Sequence, residues 1–474
     1  MKTRRDFIKS GVAVGTGLSI KNSLIGGLIN ELPATHQKAG LPLEKVRVGF
    51  VGIGAKGSQH FGNLIHMDGV EIVAVCDIVE DQCREAQAQV RRLGKPEPKA
   101  YFKGNLDFKR MCQEEELDLV YTATPWEWHA PVCKAAMENG SHAATEIPMA
   151  VTMDECWELV ETSERTGKHC IMMENVNYME KEMTMLRLIR EGYIGEVEYA
   201  ESSYCHDTRY LKIMDKDDGI WLGNHFALRN GNLYPQHAIG PVAAYMDINR
   251  GDRLDFMVSM SGNAKGLNMY AAEHLPEGHP KRMRKYINGD INASLIKTVN
   301  GKTMMIKHDT DLPRPYSRTN LVQGTRGIMR GFPEFKVSFE KKVIATNTGW
   351  WKHVNPTWED GEKYLKEFEH PLWKFLRQSG INIPKSKETG QIGRNTVWTY
   401  AVKGEEGDFL EDYRLIQALL KGTATDYDVY DGATWTAISP LSEWSVANRS
   451  RPIDFPDFTK GKWMTAKPTT IMGI

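Results

Sequence analysis

The sequence predicts an α/β fold, in which an N-terminal doubly wound parallel sheet of the Rossmann type precedes an α+β domain with an open, mostly antiparallel sheet. Strand and helix patterns alternate from about residue 46 to 175, a glycine-rich turn follows the first strand pattern, and longer strand patterns begin near residue 197. These three observations divide the chain into a leader (1–40), a nucleotide-binding domain (44–175) and a substrate-binding domain (176–474).

The leader has the pattern of a twin-arginine export signal, although a frayed N-terminal helix is the alternative. Arg4 and Arg5 lie in the segment Thr3 to Lys9, which precedes a weakly apolar run from Ser10 to Ile20. The twin-arginine system exports folded proteins, so a tightly held nucleotide can be loaded before export. We expect a periplasmic or otherwise exported protein whose cofactor is regenerated within each turnover.

An apolar run from Val46 to Val51 leads into a glycine-rich turn. Gly52, Gly54 and Gly57 have the G-x-G-x-x-G spacing, which alone also fits an ordinary strand-to-helix turn. A second apolar run ends at Asp77, about 20 residues beyond the last glycine, where an acid accepts hydrogen bonds from the adenosine ribose. The combination predicts a Rossmann domain that binds NAD in preference to NADP.

Apolar periodicity predicts the remaining elements. Helices are expected over Glu80 to Leu93, Ala130 to Asn139 and Met153 to Arg165, and a buried strand over Leu117 to Ala123. In the second domain, strands are expected over Phe256 to Met260, Ala293 to Val299, Thr303 to His308 and Lys336 to Glu340. Gly301 marks a hairpin turn and Glu277 to Arg284 a surface loop. Ligands should collect at the carboxyl ends of the parallel strands.

Composition excludes several classes of function. The 474 residues carry 60 Lys and Arg against 61 Asp and Glu, so no excess charge favours nucleic acid or an anionic membrane. No apolar segment approaches the ~20 residues of a membrane span, so stable membrane insertion is not expected. The seven cysteines lack zinc-like spacing, which predicts buried free thiols and no metal site. Association into a homo-oligomer is left open.

Two segments at predicted strand ends are unusual. Thr124 to His129 contains Trp126 and Trp128, which either stack on the nicotinamide or adenine or close the seam between the domains. Glu146-Ile147-Pro148 stands where the glucose-fructose oxidoreductase and inositol dehydrogenase superfamily, which the layout resembles, usually has Glu-Lys-Pro. The lysine of that superfamily handles the proton of the oxidised hydroxyl, and Ile147 cannot do so.

Several longer stretches resemble glycoside hydrolase family 109, whose members are NAD-dependent glycosidases typified by alpha-N-acetylgalactosaminidase. The stretches are PWEWH (125–129), ENVNY (174–178), RNGNLYPQH (229–237), MDINRGDRL (246–254), DVYDGATWTAISPLS (428–442) and DFTKGK (457–462). The resemblance covers nearly the whole chain after the leader.

The resemblance implies the following ligand contacts. NAD is expected at Ala55, Lys56, Asp77, Trp126, Glu127, Trp128, His129, Glu146, Ile147, Asn175, Tyr234, Pro235, Gln236 and His237, in addition to Gly52, Gly54 and Gly57 of the turn. A carbohydrate substrate is expected at Tyr204, Tyr234 and Tyr316.

The resemblance also implies a reaction without net redox change, an exception to the usual pair of catalytic carboxylates. NAD⁺ takes a hydride from carbon 3 of the sugar, the resulting ketone acidifies the hydrogen on carbon 2, and the aglycone leaves carbon 1 by elimination. Water then adds, and NADH reduces the ketone again.

Three positions are candidates for the proton transfers. Tyr178 is expected to accept a proton beside the nicotinamide, with a packed aromatic at a helix start as the alternative. His237 is expected to accept the hydroxyl proton at carbon 3, with a structural histidine as the alternative. His206 precedes Asp207, but neighbours on a strand point to opposite faces, which argues against an oriented pair.

Two segments depart from the family. A sugar-binding arginine usual in the family is replaced by Leu222 in the segment 221–225. A Gly-Gly-His-Gly-Gly loop, whose histidine acts at the glycosidic oxygen, is replaced by the segment 403–408 with Glu405 and Glu406. Either glutamate can replace the histidine as proton donor, because a carboxyl in a closed site can have a raised pKa; a solvated acidic loop is the alternative.

Three functions therefore remain: an exported glycosidase acting on an N-acetylgalactosaminide or another glycoside, a sugar oxidoreductase that makes or consumes a keto sugar, and a non-catalytic NAD-containing binding protein.

Overall fold

The structure is a computed structural model that describes residues 40–340, 356–378 and 407–468. The predicted export leader and the loop glutamates Glu405 and Glu406 lie outside the described residues.

The first sheet is built from six parallel strands. They are β1 (Val46–Val51), β2 (Val70–Cys76), β3 (Lys99–Tyr101), β4 (Leu119–Thr122), β5 (His142–Thr145) and β6 (Cys170–Met172). The connecting helices are α1 (Ala55–Ile65), α2 (Glu80–Arg92), α3 (Asp107–Glu114), α4 (Trp126–Glu138) and α5 (Met153–Thr166). The order β3-β2-β1-β4-β5-β6 reverses between β1 and β4, as in a Rossmann fold, so the predicted doubly wound sheet is confirmed.

The second sheet holds nine strands of the described residues in the order β14-β13-β12-β11-β7-β10-β9-β8-β15. They are β7 (Val197–Cys205), β8 (Leu254–Ser261), β9 (Ile291–Thr298), β10 (Thr303–Asp309), β11 (Leu321–Gly324), β12 (Gly327–Arg330), β13 (Lys336–Phe339), β14 (Glu359–Asp360) and β15 (Ile453–Asp454). Neighbouring strands are antiparallel except for the parallel pair of β7 and β10, which confirms the predicted mostly antiparallel sheet.

Helices pack around this sheet and against the first domain. They are α6 (Glu180–Arg190), α7 (Arg209–Ile213), α8 (Leu222–Leu228), α9 (Gln236–Tyr245), α10 (Gly266–His274), α11 (Pro280–Met283), α12 (Glu362–Glu367), α13 (Pro371–Gln378), α14 (Gly407–Lys421) and α15 (Val429–Ala447). Short 3₁₀ helices cover Asn175–Tyr178, Asp217–Ile220 and Lys462–Met464.

Two predicted elements differ from the observed ones. Helix α4 begins at Trp126 and not at Ala130, because Pro125 precedes it in an extended conformation and lets the helix begin directly after the turn. The expected surface loop at 277–284 contains the short helix α11, in which Pro280 occupies the first turn and the His279 side chain accepts a hydrogen bond from the Lys281 amide.

The C-terminal helices return to the first domain. Helix α14 packs on α1, and α15 packs against both α5 and β8. Asp428 and Asp431 form a capping box at the start of α15, and Asp431 also binds Arg250 through two hydrogen bonds of 2.6 Å. Two of the stretches that carry the family resemblance therefore meet in a buried ion pair.

All seven cysteines are buried and free, as predicted. Among the described residues, no helix has the length and apolar composition needed to cross a membrane.

Candidate active site

A cavity of about 1070 Å³ lies at the carboxyl ends of the parallel strands and is lined by both domains. The predicted ligand contacts that line it are Gly52, Gly54, Ala55, Lys56, Asp77, Trp126, Glu127, Trp128, His129, Glu146, Ile147, Asn175, Tyr204, Tyr234, His237 and Tyr316. The cavity lies where a doubly wound fold places its ligand, at the reversal of strand order between β1 and β4.

Three other expected cofactor contacts, Gly57, Pro235 and Gln236, do not belong to the cavity lining, and their contact with NAD stays a prediction. A Cβ at Gly57 would lie 1.9 Å from the Gly52 carbonyl oxygen, so Gly57 is needed for close packing of the turn. Pro235 precedes helix α9, and Gln236 is fully buried in its first turn.

The glycine turn fits a dinucleotide. Gly52 has a φ of +83°, which favours glycine, and a Cβ at Gly54 would meet nothing within 4 Å. Gly54 precedes α1 without a side-chain cap, so the first-turn amides of the helix face open space suited to a pyrophosphate.

Asp77 lines the same end of the cavity. Its carboxylate accepts hydrogen bonds from the amides of Ile53 at 2.7 Å and Val79 at 2.9 Å. Burial raises the pKa of Asp77, while the two amide donors favour its ionised form. A carboxylate has about four lone-pair sites, so acceptor capacity remains for ribose hydroxyls.

A buried ionic network lies behind the turn and was not anticipated from the sequence. His60 contacts Glu146 at 2.7 Å through Nε2 and Asp412 at 2.9 Å through Nδ1. Lys56 pairs with Asp408 and lies 3.7 Å from Glu146. Lys56 and His60 are four residues apart on α1, so they project from one face of the helix.

The network fixes the charge of Glu146 at the cavity wall. Burial disfavours a charge on His60, but the Asp412 and Glu146 carboxylates raise the pKa of His60 to about 10. Burial likewise acts against ionised Glu146, yet Lys56 and His60 lower the pKa of Glu146 to about 2. Glu146 therefore presents a permanent negative charge beside the apolar side chain of Ile147, which is 3 % exposed.

Aromatic side chains form the wall between the domains. Trp126 stacks on Tyr234 with ring centroids 5.5 Å apart and meets the edge of Trp221, also at 5.5 Å. Trp128 packs against Phe108 at 6.2 Å. Trp126 therefore closes the seam between the domains, and both tryptophans also border the cavity.

His129 and Asn175 line the cavity through different contacts. The His129 ring nitrogens lie 2.7 Å from the carbonyl oxygens of Pro148 and Thr124, so this side chain ties two strand-end segments together. The Asn175 amide donates to Asp408 at 2.9 Å.

On the side of the cavity formed by the second domain, His237 is held by a carboxylate. Its Nδ1 lies 2.8 Å from the Glu174 carboxylate, and Glu174 is only 1 % exposed. This contact fixes the His237 ring and leaves Nε2 for the cavity, an arrangement typical of a general base. Glu174 belongs to the stretch 174–178, but no role for it followed from the sequence.

Tyr204 connects His237 with a second histidine. Its ring lies 5.0 Å from that of His237, and its hydroxyl lies 3.4 Å from Nδ1 of His206. Tyr316 meets the His206 ring at 5.2 Å. Burial lowers the pKa of His206, which keeps its ring neutral at pH 7. As strand geometry suggested, Asp207 does not hold His206, because its carboxylate binds Arg209 at 2.7 Å.

Tyr178 does not border the cavity, and its expected role as a proton acceptor stays a prediction. Its hydroxyl donates to Asp426 at 3.1 Å, and its ring meets the edge of Tyr427. Burial and the Asp426 carboxylate raise the pKa of Tyr178 well above its ordinary value, so the phenol stays protonated. These contacts are the ones expected for the alternative, a packed aromatic at a helix start.

Comparisons with known proteins agree with this architecture. Residues 46–174 match the description "Oxidoreductase family, NAD-binding Rossmann fold", and residues 178–465 match "Glycosyl hydrolase 109, C-terminal domain". A crystal structure titled "Levoglucosan dehydrogenase, complex with NADH and levoglucosan" is similar with a TM-score of 0.59 at 16 % identity, covering 87 % of this chain and 100 % of that chain. A crystal structure of an NAD-binding oxidoreductase from Klebsiella pneumoniae has a TM-score of 0.62 at 14 % identity, covering 87 % and 99 %.

Relatives that match over nearly the full length show the family to which this chain belongs. A glycosyl hydrolase family 109 protein of Shewanella baltica (strain OS155) is 40 % identical, with 99 % of each chain covered. A protein of Shewanella oneidensis named alpha-N-acetylgalactosaminidase is also 40 % identical, again with 99 % of each chain covered. The family prediction made from the sequence stretches is confirmed: this chain belongs to glycosyl hydrolase family 109 and is a glycoside hydrolase built on an NAD-binding oxidoreductase fold.

Proposed function

We propose that this protein hydrolyses an N-acetylgalactosaminide or a closely related glycoside by oxidation at carbon 3, elimination, water addition and re-reduction, with NAD retained throughout. The observation that carries the proposal is the shared cavity, which joins the glycine turn and Asp77 at one end to the His237–Glu174 pair at the other. The name of the Shewanella oneidensis relative supports the substrate class.

Gly52, Gly54, Ala55 and Asp77 would hold the cofactor. When bound there, NAD would supply reversible hydride transfer at carbon 3. Ile147 offers no proton-transfer group, so the proton of the carbon 3 hydroxyl passes to His237 Nε2 while Glu174 stabilises the resulting imidazolium. The fixed charge of Glu146 favours a cationic group at that wall of the cavity.

The hydrogen on carbon 2 needs an acceptor next to the one that serves carbon 3. Tyr204 separates His237 from His206, so the two histidines lie on either side of one aromatic ring. His206 is neutral and can accept a proton, and the Tyr204 hydroxyl 3.4 Å away can relay it. We therefore assign His206, and not Tyr178, as the group that accepts the proton from carbon 2.

Leu222 lines the cavity at the position of the family's sugar-binding arginine. An isobutyl group cannot donate hydrogen bonds to the sugar, so the substrate differs from that of arginine-containing members in the group facing α8. The cavity therefore accommodates a related glycoside whose substituent facing α8 is apolar or less polar.

We also propose export through the twin-arginine pathway, supported by Arg4 and Arg5 in the leader. Cell fractionation tests it: the wild-type protein should appear outside the cytoplasm, and the double variant Arg4→Lys, Arg5→Lys should remain inside. Equal distribution of both forms would contradict export by this route.

The activity test uses protein purified with its nucleotide. Aryl and natural glycosides are screened for sugar release while absorbance of the reduced nicotinamide is recorded. The proposal predicts release of sugar without net accumulation of NADH. Accumulation of NADH together with a keto sugar would instead identify a sugar oxidoreductase.

A further inference from the structure

The proposed reaction needs an acid for the glycosidic oxygen, and six carboxyl groups line the cavity within the described residues. They are Asp77, Glu127, Glu146, Asp217, Asp218 and Asp408. A proton donor must be protonated near neutral pH and must not be committed to a strong cationic partner, and this requirement separates the six.

Four of them are committed elsewhere. Asp77 accepts two backbone hydrogen bonds at the nucleotide end. Glu127 is paired with His225, which lowers its pKa despite burial. Glu146 is held ionised by Lys56 and His60, and the pKa of Asp408 is lowered by Lys56 against the effect of burial. The three carboxylates whose pKa is lowered are therefore ionised at pH 7, and the Asp77 carboxylate is engaged by the amides of Ile53 and Val79.

Asp218 lies in an environment that favours its protonated form. It lies in the 3₁₀ helix Asp217–Ile220, faces the cavity, and makes no side-chain hydrogen bond or ion pair with the described residues. Desolvation, with smaller contributions from Asp217 and Glu146, raises the pKa of Asp218 to about 6. With this pKa, roughly one-tenth of the Asp218 carboxyl is protonated at pH 7 and about half at pH 6, so it can act as a general acid.

The position of Asp218 is fixed by its neighbours. A Cβ at Gly219 would lie 2.0 Å from the Met214 carbonyl oxygen, so the turn is pressed against the preceding segment. The Trp221 amide donates to the Asp218 carbonyl oxygen at 3.2 Å, and Trp221 belongs to the aromatic wall with Trp126. Asp218 also acts electrostatically on Tyr234, a residue expected to contact the sugar. Asp218 and Tyr234 therefore line one cavity within electrostatic range of each other.

We propose that Asp218 is the catalytic acid that protonates the glycosidic oxygen of the departing aglycone. The inference rests on the proposed function. As the bond from carbon 1 to oxygen breaks, its electron pair goes to the oxygen, which takes the Asp218 proton and leaves as an alcohol. The electron pair of the C–H bond at carbon 2 forms the double bond between carbons 1 and 2. The proton from carbon 2 goes to His206.

Water addition reverses these transfers. The water oxygen bonds to carbon 1 and gives a proton to the Asp218 carboxylate, while carbon 2 regains a proton from His206. No electron enters or leaves in either half, so the acid is regenerated without another reactant.

The test compares Asp218→Asn with the adjacent control Asp217→Asn, using alkyl and 4-nitrophenyl glycosides of the same sugar. An alkoxide needs protonation to leave and 4-nitrophenolate does not. We expect D218N to lower kcat/KM for the alkyl glycoside by roughly 10²- to 10⁴-fold, with little change for the nitrophenyl glycoside. D217N retains the Asp218 carboxyl, so it should change the ratio of the two kcat/KM values far less than D218N does.

The nitrophenyl reaction shows that D218N folds and performs the earlier steps, and nucleotide retained after purification checks folding independently. If D218N affects both substrates equally, or if D217N, E405Q or E406Q alone produces the leaving-group effect, Asp218 is not the acid. If wild-type holoprotein hydrolyses no glycoside at all, the proposed function itself fails before Asp218 is tested.

Discussion

Single residues at the glycine turn have separable structural and ligand-binding tasks. Gly57 has no room for a side chain, because a Cβ would lie 1.9 Å from the Gly52 carbonyl oxygen. Gly54 has free space around it, and that space is where the backbone approaches a pyrophosphate. Two glycines of one motif therefore respond differently to the same substitution.

The variants Gly54→Ala and Gly57→Ala test this difference. Nucleotide-free G54A should unfold at a temperature within a few degrees of that of the wild-type protein. It should bind NAD at least tenfold more weakly, because its methyl group fills the space that the ligand needs. G57A should melt at a clearly lower temperature, since the turn must open to admit the methyl group. Thermal melting and equilibrium dialysis measure the two effects. Loss of stability in G54A, with NAD affinity unchanged, would contradict the assignment.

His237 supports a second prediction at this scale. His237→Gln should lower kcat by roughly 10²- to 10⁴-fold, because a general base is lost, while NAD remains bound. The control is His225→Gln, whose ring lies 4.8 Å from Trp126 but does not border the cavity. The two kcat values and the bound nucleotide are measured. A comparable loss of kcat in both variants would contradict the role of His237 as the general base.

Among the secondary-structure elements, α14 connects the C-terminal part of the chain to the first domain. It carries Asp408 and Asp412 from the C-terminal part of the chain to α1, where they meet Lys56 and His60. The contacting residues are 352 positions apart in sequence. Local patterns cannot predict such a contact, whereas the glycine turn, Asp77 and the strand-end position of the cavity follow from local spacing and parallel topology. The hydrogen bond from Tyr178 to Asp426 could not be predicted for the same reason, because Asp426 also comes from the C-terminal segment.

The variant Asp412→Asn measures the contribution of this contact. Removal of one partner from a buried ion pair should lower the free energy of unfolding by about 3 kcal/mol at pH 7. The pKa of His60 is raised to about 10 from about 6.5, so its stabilisation is complete below pH 6.5 and disappears as the pH rises through 10. Melting of both proteins from pH 6 to 10 should therefore show the largest difference at pH 6 to 7 and a smaller one at pH 10. A difference that does not change with pH would contradict a charged His60–Asp412 pair.

For the whole molecule, the two domains have different shares in the reaction. The Rossmann sheet supplies the nucleotide end of the cavity, and the second domain supplies His237, His206, Tyr204 and Asp218. Fold class and domain order were predictable because they depend on periodicity along the chain. The proton-transfer set was only partly predictable, because its geometry depends on how distant segments pack. A dehydrogenase-like fold thereby carries a glycoside hydrolase, and in the proposed mechanism oxidation at carbon 3 makes elimination possible.

The most direct test of this account is hydrolysis in deuterium oxide with an unlabelled glycoside. The released sugar is purified and analysed by NMR and mass spectrometry. The account predicts deuterium at carbon 2, because that proton leaves during elimination and returns through groups that exchange with solvent, and hydrogen at carbon 3, because the same hydride returns. Released sugar that carries only hydrogen at carbon 2 would contradict the elimination mechanism and with it the role of NAD in this glycosidase.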